Sequence, residues 1–227
     1  MIFQDRQEAG EKLAAQVRKV LEVRPFDSAQ GKKAPKENLV VLAIPRGGVV
    51  VGKVVAQRLG CELGVVVTKK VGAPGQEELA IGAMGPDGKV VWDRALLEKL
   101  NLDKSNLAAQ VKNAKFKIKN YKEKFPTSPL RLRSGLRGTS KIILVDDGVA
   151  TGSTMEAAIK YLRARRYPPR AITVAVPVCA PEAYGKLAGL ADAVVCLAVP
   201  EDFGAVGQFY EHFPQVTDDE VVAILGA

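Results

Sequence analysis

The chain is poor in the residues of sulphur and imidazole chemistry. It has three cysteines and one histidine, His212, in 227 residues. Cys61, Cys179 and Cys196 form no CxxC pair and sit in or beside apolar stretches. That spacing argues against a disulfide framework, and a zinc site of His and Cys ligands is hard to assemble from it. Buried free thiols, packing as small hydrophobes, are expected instead. Long apolar runs are absent as well. Leu39–Ile44 and Ala171–Val178 are strand-length, well short of the roughly 20 residues of a membrane helix. The opening MIFQDRQEAGEKL is charged and amphipathic, without the basic start and apolar stretch of a signal peptide. A cytoplasmic protein with no membrane partner is expected.

What the chain has in quantity is hydrophobic residues, 47% of the total, and positive charge, a formal +8. The first favours a globular domain over a disordered chain, and the length suffices for one well-buried core. The second is local. Residues 99–141 hold twelve Lys and Arg against Asp103 and Glu123, so the rest of the chain is slightly acidic. Charge confined to one segment reads as a solvated helix face; contact with nucleic acid is the less favoured alternative.

Hydrophobic periodicity divides the chain into alternating elements. Ala9, Leu13, Val17, Val20 and Leu21 recur at helical spacing, and Asp5 with Glu8 resembles a capping box, so a helix is expected over Asp5–Leu21. Residues 24–38 read as a loop. Leu39–Ile44 is a strand, Pro45-Arg46-Gly47-Gly48 a turn, Val49–Leu59 a helix and Leu63–Thr68 a second, parallel strand. Lys69–Gly88, with five glycines and two prolines, has little regular pattern, which is usual for a functional or mobile loop. Val90–Trp92 is a short strand, Arg94–Phe125 a basic helix and Phe125–Gly138 a linker. Strands at Lys141–Val145, Ala171–Val178 and Val194–Val199 alternate with helices at Thr151–Arg166 and Pro181–Leu190. Pro200–Val216 is aromatic-rich with little pattern, and Thr217 caps a last helix, Asp218–Leu225. The order predicts an α/β fold with a central, mostly parallel sheet flanked by helices. Both glycine-bearing turns follow strands directly, so both fall on the carboxyl edge of the sheet, where such folds bind ligands.

The second turn carries the chemistry. Ile142–Val145 runs into Asp146-Asp147 and then Gly148-Val149-Ala150-Thr151-Gly152-Ser153-Thr154. The N–H groups and positive dipole end of the following helix suit a phosphate. Gly148 and Gly152 permit close approach, and Thr151, Ser153 and Thr154 add hydroxyls. The two aspartates upstream can accept hydrogen bonds from vicinal ribose hydroxyls, so a 5-phosphorylated ribose satisfies both halves. A nucleoside-triphosphate P-loop is excluded, because no lysine stands in the turn.

IILVDDGVATGSTM resembles the 5-phosphoribosyl-1-pyrophosphate signature of the type I phosphoribosyltransferases. The resemblance implies that Asp146 and Asp147 meet the ribose hydroxyls and hold Mg²⁺ through water, while Ala150–Thr154 wrap the 5-phosphate. IPRGGVVVG, Ile44–Gly52, resembles the pyrophosphate-binding loop of these enzymes, which would put Pro45, Arg46, Gly47 and Gly48 at the leaving group. Lys69 and Lys70 would stand beside it, and 69–90 would be a lid. KKVGAPGQEELAIGAMGPDGKVVWD and PEDFGAVGQFYEHFPQVTDDEV resemble segments of a bacterial group of predicted phosphoribosyltransferases, sometimes found near or fused to dienelactone-hydrolase-like domains. The fold implied is a single domain over 1–227, with a basic helical insertion at 94–137 and a hood at 199–227. The implied reaction transfers phosphoribose to a nitrogenous base and releases pyrophosphate, with a homodimer as an open alternative to a monomer. A regulator that binds the same donor and contacts nucleic acid is the competing reading.

The hood offers Phe203, Phe209, Tyr210 and Phe213 as faces for a planar base, or as anchors for the tail. Oxopurine enzymes carry an aspartate where this chain has Ala150, and read the base with a hood lysine. Residues 187–227 contain no Lys or Arg, which argues against an oxopurine acceptor. Lone His212 reads as a surface residue.

Overall fold

The structure is a computed structural model that describes residues 1–22, 39–124 and 141–226. The loop expected at 24–38 and the linker at 125–138 fall outside the described residues. Five parallel strands form the central sheet: β1 (Leu39–Ala43), β2 (Glu62–Val65), β6 (Lys141–Val145), β7 (Ala171–Val178) and β8 (Ala193–Ala198), in the order β2-β1-β6-β7-β8. The apolar runs read in the sequence are these strands; β1, β6 and β7 are buried on both faces, and the edge strands β2 and β8 are partly exposed. Their alternation feeds two cores. Val41, Ile143 and Val145 pack against α1 (Arg6–Val20) and α2 (Gly47–Leu59) through Leu13, Val17, Val51 and Val55. Val40, Leu42, Ile142, Leu144, Val174 and Val176 point the other way, against α5 (Ser153–Arg163) and α6 (Pro181–Ala188) through Met155, Ile159, Leu162 and Leu187.

The strand order places the site. From β1 the chain crosses through α2 to β2 on one side. From β6 it crosses through α5 and α6 to β7 and β8 on the other. β1 and β6 are direct neighbours, with Ala43 opposite Val145. Their outgoing turns therefore leave the sheet side by side at the point where the strand order reverses.

The stretch after β2 differs from the sequence expectation. Lys69–Gly88 is largely regular: β3 (Lys69–Ala73) and β4 (Gln76–Met84) form an antiparallel hairpin, and β5 (Val90–Trp92) completes a separate three-stranded sheet. Val71, Ala73, Ile81 and Met84 are buried, and the glycines that obscured this pattern sit at turns and at a bulge in the β3–β4 register. The basic helix is also divided. α3 (Arg94–Lys99) stops before Asn101, which has φ 51°. The Asp103 side chain then accepts from Ser105 N at 2.7 Å and starts a 3-10 turn, Lys104–Leu107, that leads into α4 (Ala108–Lys124). Leu107, Ala114 and Ile118 of this segment pack on the hairpin, so its apolar face is occupied while Lys112, Lys115, Lys117 and Lys119 remain exposed. Lys160 of α5 bonds Asp93 at 3.1 Å and Glu156 at 2.8 Å, joining the end of the hairpin sheet to α5.

The carboxyl-terminal segment closes over the sheet edge. Its 3-10 turn, Val206–Phe209, is followed by α7 (Asp218–Gly226), which Thr217 caps: Glu220 N donates to Thr217 Oγ1, and Glu220 accepts from Thr217 N at 2.6 Å. No described helix is long and apolar enough to cross a membrane. The three cysteines are free thiols, as expected, and burial pushes the Cys61 thiol up to about 12.

Leu144, fully buried in the central strand, tests this packing. Leu144→Ala is expected to lower stability by about 2–5 kcal/mol, read from urea denaturation; an unchanged midpoint would contradict its place in the core.

Candidate functional site

Two turns meet at the β1–β6 edge. In the first, the Pro45–Arg46 peptide bond is cis, and α2 starts at Gly47 and Gly48. These two glycines are what allow the turns to touch. A Cβ on Gly47 would lie 1.8 Å from Asp147 Oδ2, and one on Gly48 2.8 Å from Asp146 Cα. Any side chain at position 47 must displace the carboxylate. The Pro-Arg-Gly-Gly string is thus a packing requirement as well as an N-terminal helix turn with amides available to an anion.

The second turn is pinned from both neighbouring strands. Ile44 N donates to Val145 O at 2.9 Å. Val149 N donates to Val178 O, and Ala180 N to Val149 O, each at 2.9 Å. Gly152 then takes φ 73°, a left-handed conformation that suits glycine, and caps α5, with Glu156 N donating to its carbonyl at 2.8 Å. Thr151 and Thr154 are exposed, and Thr151 Oγ1 lies 3.2 Å from Ser153 Oγ. Hydroxyls and first-turn amides of an eleven-residue helix thus gather at one exposed corner, the arrangement that suits a phosphate.

Between the turns lie the two acids. Asp146 Oδ1 accepts from Asp147 N at 2.9 Å. Removal from water, and then the charge of Asp147, pushes the Asp146 carboxyl well above the usual carboxylate range. Asp147 is held by Arg6, whose Nε donates to Oδ2 at 2.7 Å. Among the described residues no group of three or more His, Cys, Asp or Glu could hold a metal. Two carboxylates do fit Mg²⁺ as a partial shell. This hard ion takes oxygen ligands, keeps several waters and commonly shares its sphere with substrate phosphates.

Of the predicted cations, Arg46 stands at the first turn, and Lys69 and Lys70 start the β3 strand of the hairpin sheet. Burial, aided by the charges of Lys117 and Arg46, holds the Lys69 ammonium below the ordinary lysine range. Arg46 also reaches Asp218 of α7 at 3.9 Å. Lys70 lines a different cavity, of about 290 Å³, between the hairpin and α4 with Glu77, Gln110, Asn113 and Lys117. A cavity of about 440 Å³ opens against the first turn, lined by Arg6, Pro45, Arg46, Gly47, Phe213, Gln215 and Val216. A larger one, of about 590 Å³, lies among Arg94, Leu97 and Lys104 and shares no lining residue with either turn.

The aromatic tail lies over this edge. Phe209 and Tyr210 are only 7% and 6% exposed, packed with Phe3, Ala9 and Val178. Phe3 N donates to Phe209 O and Glu211 N to Phe3 O, both at 2.8 Å, so the amino terminus and the tail pair as short extended segments. Tyr210 OH donates to the Asp147 carbonyl at 2.5 Å. Of the four rings named from the sequence, the two buried ones anchor the tail, and Phe203 and Phe213 stay half-buried. His212 is exposed.

Sequence reasoning missed Arg6. The signal was present. Arg6 falls on the apolar face of α1 with Ala9, Gly10, Leu13 and Val17, and is itself buried, 7% exposed. A cation at a core-facing helical position needs a partner.

Comparison with known proteins places the chain. Residues 8–213 match the model of the phosphoribosyl transferase domain. The chain is 38% identical over 225 residues to MT0597 of Mycobacterium tuberculosis (strain CDC 1551 / Oshkosh), provisionally named a phosphoribosyl transferase. The match covers 99% of this chain and 46% of that protein, so the chain spans about half the length of the curated relatives it matches; Rv0571c of strain ATCC 25618 / H37Rv matches equally. The crystal structure of TT1426 from Thermus thermophilus superposes with a TM-score of 0.80 at 41% identity, covering 99% of this chain and 98% of that one. On the extent of these matches, the chain belongs to the phosphoribosyl transferase domain family.

Proposed function

We propose that the protein binds 5-phosphoribosyl-1-pyrophosphate with Mg²⁺ at the paired turns and transfers phosphoribose to a nitrogenous base. The observation that carries this reading is the meeting of Gly47 and Asp147, which sets a helix-start anion site against a ribose-type carboxylate pair. In this reading Ala150–Thr154 hold the 5-phosphate and Asp146 with Asp147 meet the ribose hydroxyls. The amides of Gly47 and Gly48, with Arg46 and Lys69, face the pyrophosphate.

The acceptor nitrogen forms its bond to ribose C1 as the bond from C1 to the pyrophosphate oxygen breaks, and pyrophosphate leaves with that electron pair. Negative charge grows on the leaving group, so cations and amides already in place lower the barrier without reorganising. Mg²⁺, when bound, neutralises part of the same charge and would be held by Asp146 and Asp147, directly or through water. The β3–β4 hairpin would serve as a cover that excludes water, and Lys70 would follow it. The half-buried Phe203 is the face we assign to the acceptor base, because the rings of Phe209 and Tyr210 are spent on anchoring. Ala150 and a tail without Lys or Arg favour an acceptor other than an oxopurine.

Two measurements test the donor half. Calorimetric titration with donor and Mg²⁺ is expected to give saturable binding. Gly47→Ala, whose Cβ would displace the Asp147 carboxylate, is expected to weaken it on the order of 10- to 100-fold while the folded circular-dichroism spectrum is kept. Donor affinity unaffected by this substitution would refute the pairing of the turns as the binding site.

The second concerns pH. Pyrophosphate needs Lys69 charged, and its ammonium is held below the ordinary range. Affinity should therefore fall as pH rises through that lowered value, starting earlier than a lysine titrating near ~10.4 would cause. Lys69→Arg, which stays charged, is expected to move the fall to higher pH. Identical profiles for the two proteins would remove Lys69 from the pyrophosphate site.

A further inference from the structure

The geometry points to Arg6 as a positioning residue for Asp147, an inference that rests on the donor-binding reading above. Arg6 is the first residue of α1, remote in sequence from both turns, yet its Nε donates to Asp147 Oδ2 at 2.7 Å. The same guanidinium is fixed in two further ways. Its Nη1 donates to Pro214 O at 2.8 Å, and its plane lies over the Phe213 ring, with Cζ 3.8 Å from the centroid. Phe213 in turn stacks on Tyr210, whose hydroxyl donates to the main-chain carbonyl of Asp147. The acid is thus gripped at its side chain by Arg6 and at its backbone by Tyr210, and the two grips touch through Phe213.

A planar fork held at three points has little freedom left, so the carboxylate it holds is fixed as well. The contact selects which oxygen of Asp147 is spent on the protein. Oδ2 is committed to Arg6, and the Asp147 side chain also interacts with that of Asp146, so Arg6 orders the acid pair as a unit. The pair also offsets the repulsion between two adjacent acids that would otherwise push Asp147 away from Asp146. Position 47 shows how closely this is built: a Cβ there would meet Asp147 Oδ2 and then Arg6 Nε, at 3.0 Å. Arg6 acts through Asp147, and its effect falls more on the ribose half of the donor than on pyrophosphate, although its guanidinium also lines the cavity at the first turn.

Two probes separate this role from a purely structural one. Donor and inorganic pyrophosphate, each with Mg²⁺, are titrated into wild type, Arg6→Ala and Arg6→Lys. Arg6→Ala is expected to weaken donor binding by about tenfold or more and to weaken pyrophosphate binding by clearly less. Arg6→Lys keeps the charge without the fork and should recover part of the loss. Guanidinium ion added at millimolar concentration should restore donor affinity to Arg6→Ala and not to wild type. If Arg6→Ala does not fold, Arg6→Lys carries the comparison, with a smaller donor-selective loss expected. Equal loss of both ligands, or unchanged donor affinity in a folded variant, would overturn the inference and leave the donor reading standing. Wild-type protein that binds neither ligand would overturn both.

Discussion

Two carboxylates side by side at the end of a buried strand must be kept from driving each other apart, and most of the site can be derived from how that is done. Asp146 lies against the protein interior, where desolvation and its neighbour raise its carboxyl well above the usual range. Asp147 points to the start of α2 and is held by a buried guanidinium. The start of α2 approaches the same carboxylate closely enough that only glycine fits. Such a pair is costly in the unliganded protein. It suits a ligand that brings hydroxyl donors, a cation or both, because either favours the ionised form that burial opposes.

The opposite problem is set by the cations. Burial first, and then the charges of Lys117 of α4 and Arg46, disfavour the Lys69 ammonium. The chain thus gathers acids on one turn and cations on and beside the other, on adjacent strands. A donor with hydroxyls at one end and a pyrophosphate at the other would relieve both. The strand order explains how the two are brought together: the reversal between β1 and β6 lets turns about a hundred residues apart in sequence leave adjacent strands.

The parts legible in the sequence are those with local signals. Buried parallel strands show as short apolar runs, so β1, β6 and β7 could be read, and the helix cap at Thr217 follows from its own neighbours. The second turn, with its acids, glycines and hydroxyls, was legible as a candidate site because its residues are contiguous. The β3–β4 hairpin was not, since glycines needed at its turns and bulge interrupt the alternation that marks a strand. The break at Asn101 was hidden by lysines that continue the helical pattern on either side. Arg6 depends on a contact 141 residues away, and only its place on the apolar face of α1 hinted at it. The tail rings posed a different difficulty: stacking on a base and anchoring a tail call for the same residues. Burial separated them, with Phe209 and Tyr210 enclosed and Phe203 left half-buried.

The division between anchored and open parts of the site bears on how an acceptor would be chosen. The two turns that meet the donor in the proposed reading are held by main-chain pairing, helix starts and the Arg6 fork, and offer little freedom for change. In that reading the acceptor side is the tail, whose backbone is tied to Phe3 and Gln4 and which carries no Lys or Arg. Recognition of a base there would rest on shape, on the face of Phe203 and on main-chain groups, with no cation from the tail to read a carbonyl. The Arg6 guanidinium, which touches the tail, is already engaged with Asp147, Pro214 and Phe213. A change of acceptor could therefore arise at tail positions other than Val206, Tyr210, Phe213, Pro214 and Asp218, which touch the two turns or the Arg6 that holds one of them.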